Sequence, residues 1–334
     1  VSPRVYIREY QPNTRFSGAF SIMNAQLGTT RAGKPYLRGL LGDKTGDLPL
    51  RMWSVTEELV ARIGTEGFVY AEGETQPFQG QLQLIVQRLE PLDQLSDEQM
   101  RDLLPATERE PDEMFEELVG LLDTVEQPAM KALVETYLED EMLMAQFRQC
   151  PAAKALHHAR LGGLLEHTLQ LVKLADVVCP LYPKISRDLV VVGLFLHDLG
   201  KTRELTYERG FGYTDRGELI GHIVDGAIML HDKAQQMMAS KGVRLPQGAL
   251  TCLQHIILSH HGEPEFGAAK IPATPEAILV SMLDNLDAKT IIALEAARPG
   301  TAAAHDLGGN FTERQWALKN VKLYKPDPLD QSSE

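Results

Sequence analysis

Cysteine is scarce: Cys150, Cys179 and Cys252 are the only three in 334 residues. An odd, widely spaced set argues against a disulfide framework and against a cysteine metal site, and it fits a reducing compartment. No apolar run reaches the length of about 18 residues that a membrane span needs, and the leading VSPRVYIREY has neither a signal-peptide core nor a cleavage pattern. The expectation is a soluble, cytoplasmic protein. A phosphate-binding glycine loop, a GxSxG elbow and any internal repeat are also missing, which removes P-loop nucleotide binding, the serine-hydrolase elbow and solenoid folds. Positive charge is short overall, with a net charge of −13, and this at first sight counts against a nucleic-acid partner.

The distribution of that charge changes its meaning. Residues 1–92 hold ten basic and nine acidic side chains, residues 93–150 hold four and sixteen, and residues 151–334 hold nineteen and twenty-one. The acidity is therefore concentrated in the middle of the chain. With 43% hydrophobic and 24% charged residues the composition is that of an ordinary globular protein with room for two or three domains.

Residues 1–92 alternate in short runs between Gly, Pro, Asp and Asn turn signals, with LVARI the one helical patch, and the spacing predicts a five-stranded barrel. Gly33-Lys34-Pro35-Tyr36-Leu37, Leu41-Gly42-Asp43-Lys44-Thr45-Gly46, Arg51-Met52-Trp53, Tyr70-Ala71-Glu72-Gly73 and Phe78-Gln79-Gly80-Gln81-Leu82-Gln83 resemble the words of an OB-fold. In nucleic-acid-binding members of that fold, aromatic rings stack on bases and cations follow the backbone, which makes Lys34, Tyr36, Arg38, Arg51, Trp53 and Phe78 the candidates here. The competing expectation is that Tyr36, Trp53, Phe68 and Tyr70 fill a small barrel core. Residues 93–150 are expected to form an acidic helical connector, with a capping box from Ser96 to Gln99, breaks at Pro105, Pro111 and Pro128, and acidic clusters that are solvated helix faces.

All ten histidines lie between His157 and His305, in a region whose apolar periodicity is helical. His167 falls on the apolar stripe of GGLLEHTLQLVKLADVV. LVVVGLFLHDLGK runs eight nearly uninterrupted apolar residues into His197 and Asp198, with Gly200 expected as a left-handed stop and Lys201 as a cation at the helix end. A short hairpin over ELTYERGFGYTDRG precedes a helix carrying His222. Another helix ends at His260-His261 before Gly262, and a last one carries Asp284 and, a turn later, Asp287. Five helices each bring histidine or aspartate into or to the end of an apolar stripe. Burying so many titratable groups without a cation costs several kcal/mol for each charged group, so a shared metal site is the economical explanation. Imidazole with carboxylate suits Mn, Fe, Co, Ni or Zn better than Ca or Mg.

The order His167, His197-Asp198, Asp284 resembles the HD-domain metal-dependent phosphohydrolases. HHARLGGLLEHT, LFLHDLGKTREL, YTDRGELIGHI, ILSHHGEPEFGA and LDNLDAK, after an OB-like domain, resemble the YhaM-type 3'-to-5' exoribonucleases. The resemblance implies a β-plus-all-α chain: an OB-fold domain over 1–92, the connector over 93–150, an HD domain over 151–325 and a tail over 326–334. It implies one metal at His167, His197, Asp198 and Asp284, with Asp198 bridging to a second at His222 and His260. The pair would be divalent transition-metal ions, Mn2+ first, with Co2+, Fe2+, Ni2+ or Zn2+ as alternatives. Lys201 is then the transition-state cation, His261 a further ligand or a phosphate contact and proton donor, and Asp287 the group that orients a ligand histidine from behind. His157 and His158 either touch substrate or stand at a solvated helix start, while His231, His255 and His305 are structural. The implied activity is 3'-to-5' hydrolysis of single-stranded RNA, with DNA as a further substrate and self-association left open. The alternatives are a small-nucleotide phosphohydrolase and a non-catalytic nucleic-acid-binding protein.

Overall fold

A computed structural model describes residues 4–329 apart from 31–32, 54, 79–80, 93–94, 155–157, 208–209, 299–309 and 328. His157 and His305 therefore lie outside the described residues. The chain divides into two compact units, residues 1–106 with 206–212 and residues 107–205 with 213–334.

The first unit is a closed barrel in the order β1 (Arg15–Thr29), β2 (Pro35–Asp43), β3 (Gly46–Trp53), β5 (Gln81–Pro91), β4 (Gly67–Phe78), with α1 (Glu57–Ile63) between β3 and β4. This is the five-stranded OB-like topology that the turn spacing predicts. Alternation decides what faces inward: Phe16, Phe20, Leu37, Leu41, Leu50, Val69, Leu84 and Val86 fill the interior, and the strands close on themselves, so no edge is left unpaired. β1 reaches both neighbours by bending at an irregularity between Met23 and Gln26, where Asn24 takes a positive φ of 53°. The helix α2 (Asp97–Leu103) carries the expected capping box, with Ser96 and Gln99 each satisfying the other's backbone N–H, and it is tied to the barrel by the Lys44–Asp102 ion pair of 2.7 Å.

The second unit is helical. Pro111 and Pro128 are the first residues of α3 (Pro111–Leu122) and α4 (Pro128–Leu138), where a missing N–H costs nothing. Then come α5 (Glu141–Gln149), α6 (Gly163–Val178), α7 (Arg187–Leu196) and α8 (Lys201–Glu204). A two-stranded hairpin, β6 (Leu205–Thr206) with β7 (Gly212–Tyr213), whose residues 206–212 group with the first unit, precedes α9 (Asp215–Leu219), α10 (His222–Lys241), α11 (Gln247–Ser259) and α12 (Pro275–Ala297). A second hairpin, β8 (Phe311–Gln315) with β9 (Val321–Tyr324), packs on α12. Every residue of α7 from Val190 to Leu196 is buried, as its unbroken apolar run requires, and α6, α11 and α12 pack around it. No described helix is long and apolar enough to cross a membrane.

One expectation is corrected at the end of α7. Gly200 is not left-handed; its φ is −57°, and it leads directly into α8. Glycine is needed there for space, because a Cβ would run into the carbonyl of His222. That close approach brings α8 and the start of α10 together.

Candidate metal centre and barrel face

Five chain segments converge on Asp198. α6 contributes His167, the turn after α7 contributes His197 and Asp198, α10 begins with His222, the end of α11 contributes His260 and His261, and the inner face of α12 contributes Asp284. The two oxygens of the Asp198 carboxylate face different partners. Oδ2 lies 3.3 Å from His197 Nε2, 3.9 Å from His167 Nε2 and 2.6 Å from Lys201 Nζ, whereas Oδ1 lies 3.5 Å from His222 Nε2 and 3.4 Å from His260 Nε2. Asp284 Oδ1 stands 3.2 Å from His167 Nε2. Candidate ligand atoms of Asp198, His222, His260 and His261 all fall within 4.8 Å of one another, as do those of His167, His197 and Asp198 and those of His197, His260 and Asp284.

Each ring is oriented from behind. His197 Nδ1–H donates to the Leu194 carbonyl at 2.7 Å, His260 Nδ1–H to the Ile257 carbonyl at 2.8 Å, and His222 Nδ1–H to Glu204 at 2.9 Å. A neutral imidazole that donates through Nδ1 carries its lone pair on Nε2. His197 Nε2, His222 Nε2, His260 Nε2 and Asp198 Oδ1 are nevertheless buried without a hydrogen-bond partner. Buried polar atoms are rarely left so, and three lone pairs with a carboxylate oxygen in one place fit a divalent cation. Thiolate is absent from the set, which leaves the nitrogen and oxygen donors of a transition-metal site.

The electrostatics agree with that fit. Burial alone would raise the Asp198 pKa, but Lys201 and His197 outweigh it and hold the carboxyl well below its usual range. Burial lowers the pKa of His222 and His260, so both rings are neutral. Burial also acts on His167, where hydrogen bonds with Asp284 and Asp287 win and raise the pKa to about 9. Lys201 stays a cation because Asp198 more than offsets its burial. His261, whose Nδ1–H donates to the Phe266 carbonyl at 2.7 Å, is lowered to about 4, first by burial and then by His260 and Lys201.

The structure thus brings together His167, His197, Asp198, Lys201, His222, His260, His261 and Asp284, and sets Asp287 behind His167, its Oδ2 2.7 Å from Nδ1. His255 stands apart, its Nε2 accepting from the Ala273 N–H. Two groups escape a sequence reading. Glu204 accepts from both the backbone and the ring of His222, yet it lies in a four-residue helix with no period to betray it. His158 is buried between Glu166 and Asp287, 2.9 Å and 3.1 Å away, which rules out the contact with substrate that its position ahead of α6 suggests. Glu166 is adjacent to His167 in sequence, a spacing that on a helix points elsewhere.

The profile of the HD domain family matches residues 164–289, the span from α6 to α12 that supplies every candidate ligand. A Shouchella clausii protein named 3'-5' exoribonuclease YhaM is 31% identical over 96% of this chain and 96% of its own length. The Bacillus subtilis protein of that name is 30% identical over 91% of this chain and 93% of its own. The chain belongs to the YhaM family. As the whole-length match requires, the barrel is part of this YhaM-family architecture as well as the helical unit. The barrel also resembles the second OB-fold domain of replication protein A from Methanococcus maripaludis, at 14% identity and a TM-score of 0.23 over 28% of this chain and 98% of that one. That likeness says nothing of what the YhaM-family barrel binds.

The barrel offers a different kind of surface. Tyr36 and Trp53 are cross-strand partners, as are Arg38 and Arg51, and alternation puts all four on the outer face while Leu37 points inward. The Tyr36 and Trp53 rings are 5.4 Å apart, and the Arg51 guanidinium lies 5.9 Å from the Tyr36 ring. Gly28 sits opposite Tyr36 on β1, and any side chain there would collide with the tyrosine ring. Lys34 is exposed at the same end of β2. Trp53 is 52% exposed, so it does not fill the core; Phe68 is buried, but on the face opposite the interior residue Val69. Phe78 is 54% exposed but separate: Leu50 pairs with Leu84 and Phe78 with Gln81, which sets Phe78 level with the beginning of β3 and away from Trp53 at its end.

Proposed function

We propose that this chain is a cytoplasmic, metal-dependent 3'-to-5' exoribonuclease that hydrolyses single-stranded RNA to mononucleotides, with single-stranded DNA as a further substrate. The observation that carries the proposal is the divided Asp198 carboxylate, each oxygen turned to its own histidines with their Nε2 lone pairs unengaged. The YhaM-family relatives give the reaction class. Three cysteines that form no disulfide fit the reducing compartment.

In this reading His167, His197, Asp198 and Asp284 hold one divalent ion, and Asp198, His222 and His260 hold a second, with Mn2+ the first choice. Bound there, such ions supply Lewis acidity toward phosphoryl oxygens and make water a nucleophile at neutral pH. The protein's own groups do the rest. Glu204, Leu194 and Ile257 fix the imidazoles of His222, His197 and His260 in the tautomer that leaves Nε2 bare, and Asp287 orients the His167 ring through Nδ1. Lys201 holds Asp198 in place and keeps a permanent positive charge beside the position where negative charge grows on the phosphoryl group. His261, neutral and with its one N–H given to Phe266, is suited to donate a lone pair rather than a proton. On the barrel, Tyr36 and Trp53 stack bases while Lys34, Arg38 and Arg51 neutralise backbone phosphate. Exposed rings fit this role better because the barrel domain's net charge is nearly zero.

The test is to incubate the protein with 5'-labelled single-stranded RNA and Mn2+. A ladder shortening from the 3' end, abolished by Asp198→Ala, is the expected result. Turnover of free nucleotides with no cleavage of any oligomer would make it a small-nucleotide phosphohydrolase. Binding without cleavage of either would make it a non-catalytic RNA-binding protein.

A further inference from the structure

α12 is apolar on two faces. Its inner face carries Asp284 and Asp287 among Ala277, Val280 and Leu283. Its outer face carries Ile278, Met282, Leu286 and Leu294, a row at intervals of four whose remaining step is Thr290. The row contains no charge. Each of its four apolar side chains is about half-exposed, and Met282 reaches 60%. A surface helix normally places charged or polar residues on the side away from its core; here exposed Asn285 and Lys289 stand beside the row, and the row itself offers none but Thr290.

The β8–β9 hairpin extends the same surface. Tyr324 at the end of β9 is half-exposed, and Trp316 in the connecting turn is 69% exposed. Between the outer row of α12 and β9 runs a groove of about 660 Å³, with Leu323 and Tyr324 on one wall. Lys289 and Arg298 line the groove beside Met282, Leu286 and Leu294, and the hairpin that bounds it carries the protruding Trp316.

From this we infer that the outer face of α12 with the β8–β9 hairpin is a self-association surface, and that its occupant is the same face of a second copy of this chain. The six side chains Ile278, Met282, Leu286, Leu294, Trp316 and Tyr324 present on the order of 700 Å² of accessible surface, above the roughly 300 to 600 Å² patch of a typical monomer and close to the about 800 Å² that each partner buries in a stable interface. An uncharged ridge at intervals of four packs into the equivalent groove of another such helix, and a face that carries both knob and groove satisfies a two-fold contact in which each copy fills the other. The contact would back the helix that carries Asp284 and leave the metal centre's inner face untouched.

The full-length protein tests this. Sedimentation velocity at micromolar concentration is expected to give an oligomer for the wild type and for Leu181→Glu, which alters an equally exposed apolar residue elsewhere. Trp316→Glu and Leu294→Glu are expected to sediment as monomers with unchanged circular dichroism. A monomeric wild type overturns the inference, as does an oligomer that survives both substitutions or that Leu181→Glu dissociates equally. The chain has two tryptophans, so in a Trp53→Phe background Trp316 reports alone. Its emission should shift to shorter wavelength as concentration drives association. Emission that stays at the solvent-exposed maximum while the protein is oligomeric would place the interface elsewhere, and this readout holds even if a glutamate variant fails to fold.

Discussion

At the metal centre the histidine rings are each fixed from behind before anything binds; on the barrel face the rings stand partly in water and the two guanidinium groups are held by hydrogen bonds to Gln26 and the Leu50 carbonyl. His197, His222 and His260 each have one ring nitrogen committed to a carbonyl or carboxylate, and what is left over is a set of lone pairs aimed at Asp198. Trp53 has Tyr36 for its one ring neighbour among the described residues and half its surface in water, and Arg38 rests on Gln26 at 3.1 Å. The first arrangement selects by geometry and tolerates little change. In the proposed reading the second offers faces and charges to any base sequence and should lose affinity in small steps. The division suits an enzyme that must be strict about chemistry and lax about sequence.

The difference breaks most visibly if the groups behind the ligands are removed. Glu204→Ala frees the ring of His222, and Asp287→Asn weakens the hold on His167, so each should lower metal affinity about 10- to 100-fold, which is the usual cost of losing such a partner. Isothermal titration with Mn2+ checks this without relying on turnover. Unchanged affinity in Glu204→Ala would remove His222 from the ligand set.

Proton linkage is the next largest effect. The pKa of His167 is raised to about 9, so near neutral pH its ring holds a proton that a cation must displace. Apparent metal affinity should therefore climb about tenfold per pH unit from pH 7 toward 9 and flatten above it. His222 and His260, lowered by burial, are already neutral and add no further slope. Asp287 is one cause of the raised value, so Asp287→Asn should move the bend to lower pH. A flat profile in the wild type would mean that His167 is not displaced from its proton and is not a ligand.

These contrasts also explain what was legible in the chain. His167 on an apolar stripe and His197-Asp198 at the end of an apolar run are conflicts between burial and polarity, and such conflicts are visible in sequence because helical period fixes which residues turn inward. Glu204 and His158 sit in a four-residue helix and an irregular approach to α6, where no period exists, so only the fold reveals that they touch His222 and Asp287. Gly200 shows a subtler limit. Glycine before a cation reads as a left-handed stop, but the same residue also serves where two backbones meet, and sequence does not separate the two uses. The barrel was legible from its turns, whereas the side each aromatic faces depended on strand register, which puts Trp53 outward beside Tyr36 and sets Phe68, buried as it is, on the face opposite Val69.

Register also sets the smallest effect. Trp53 is paired with Tyr36 and flanked by Arg38 and Arg51, so a base laid on it gains a second ring and two cations, whereas Phe78 stands level with the opposite end of β3 and gains neither. A stacked base is worth roughly 1 to 3 kcal/mol. Trp53→Ala should therefore weaken binding of a single-stranded oligonucleotide by about tenfold, and Phe78→Ala by less than about twofold. Fluorescence anisotropy with a labelled oligomer measures both. Hydrolysis of a small chromogenic phosphodiester should stay at the wild-type rate in each variant, because that substrate never meets the barrel. Equal losses from the two substitutions would mean that the barrel binds along its whole length rather than at the Tyr36–Trp53 pair. Loss of small-diester hydrolysis in Trp53→Ala would mean that the tryptophan supports the fold, and the contrast between a strict centre and a permissive face would have to be given up.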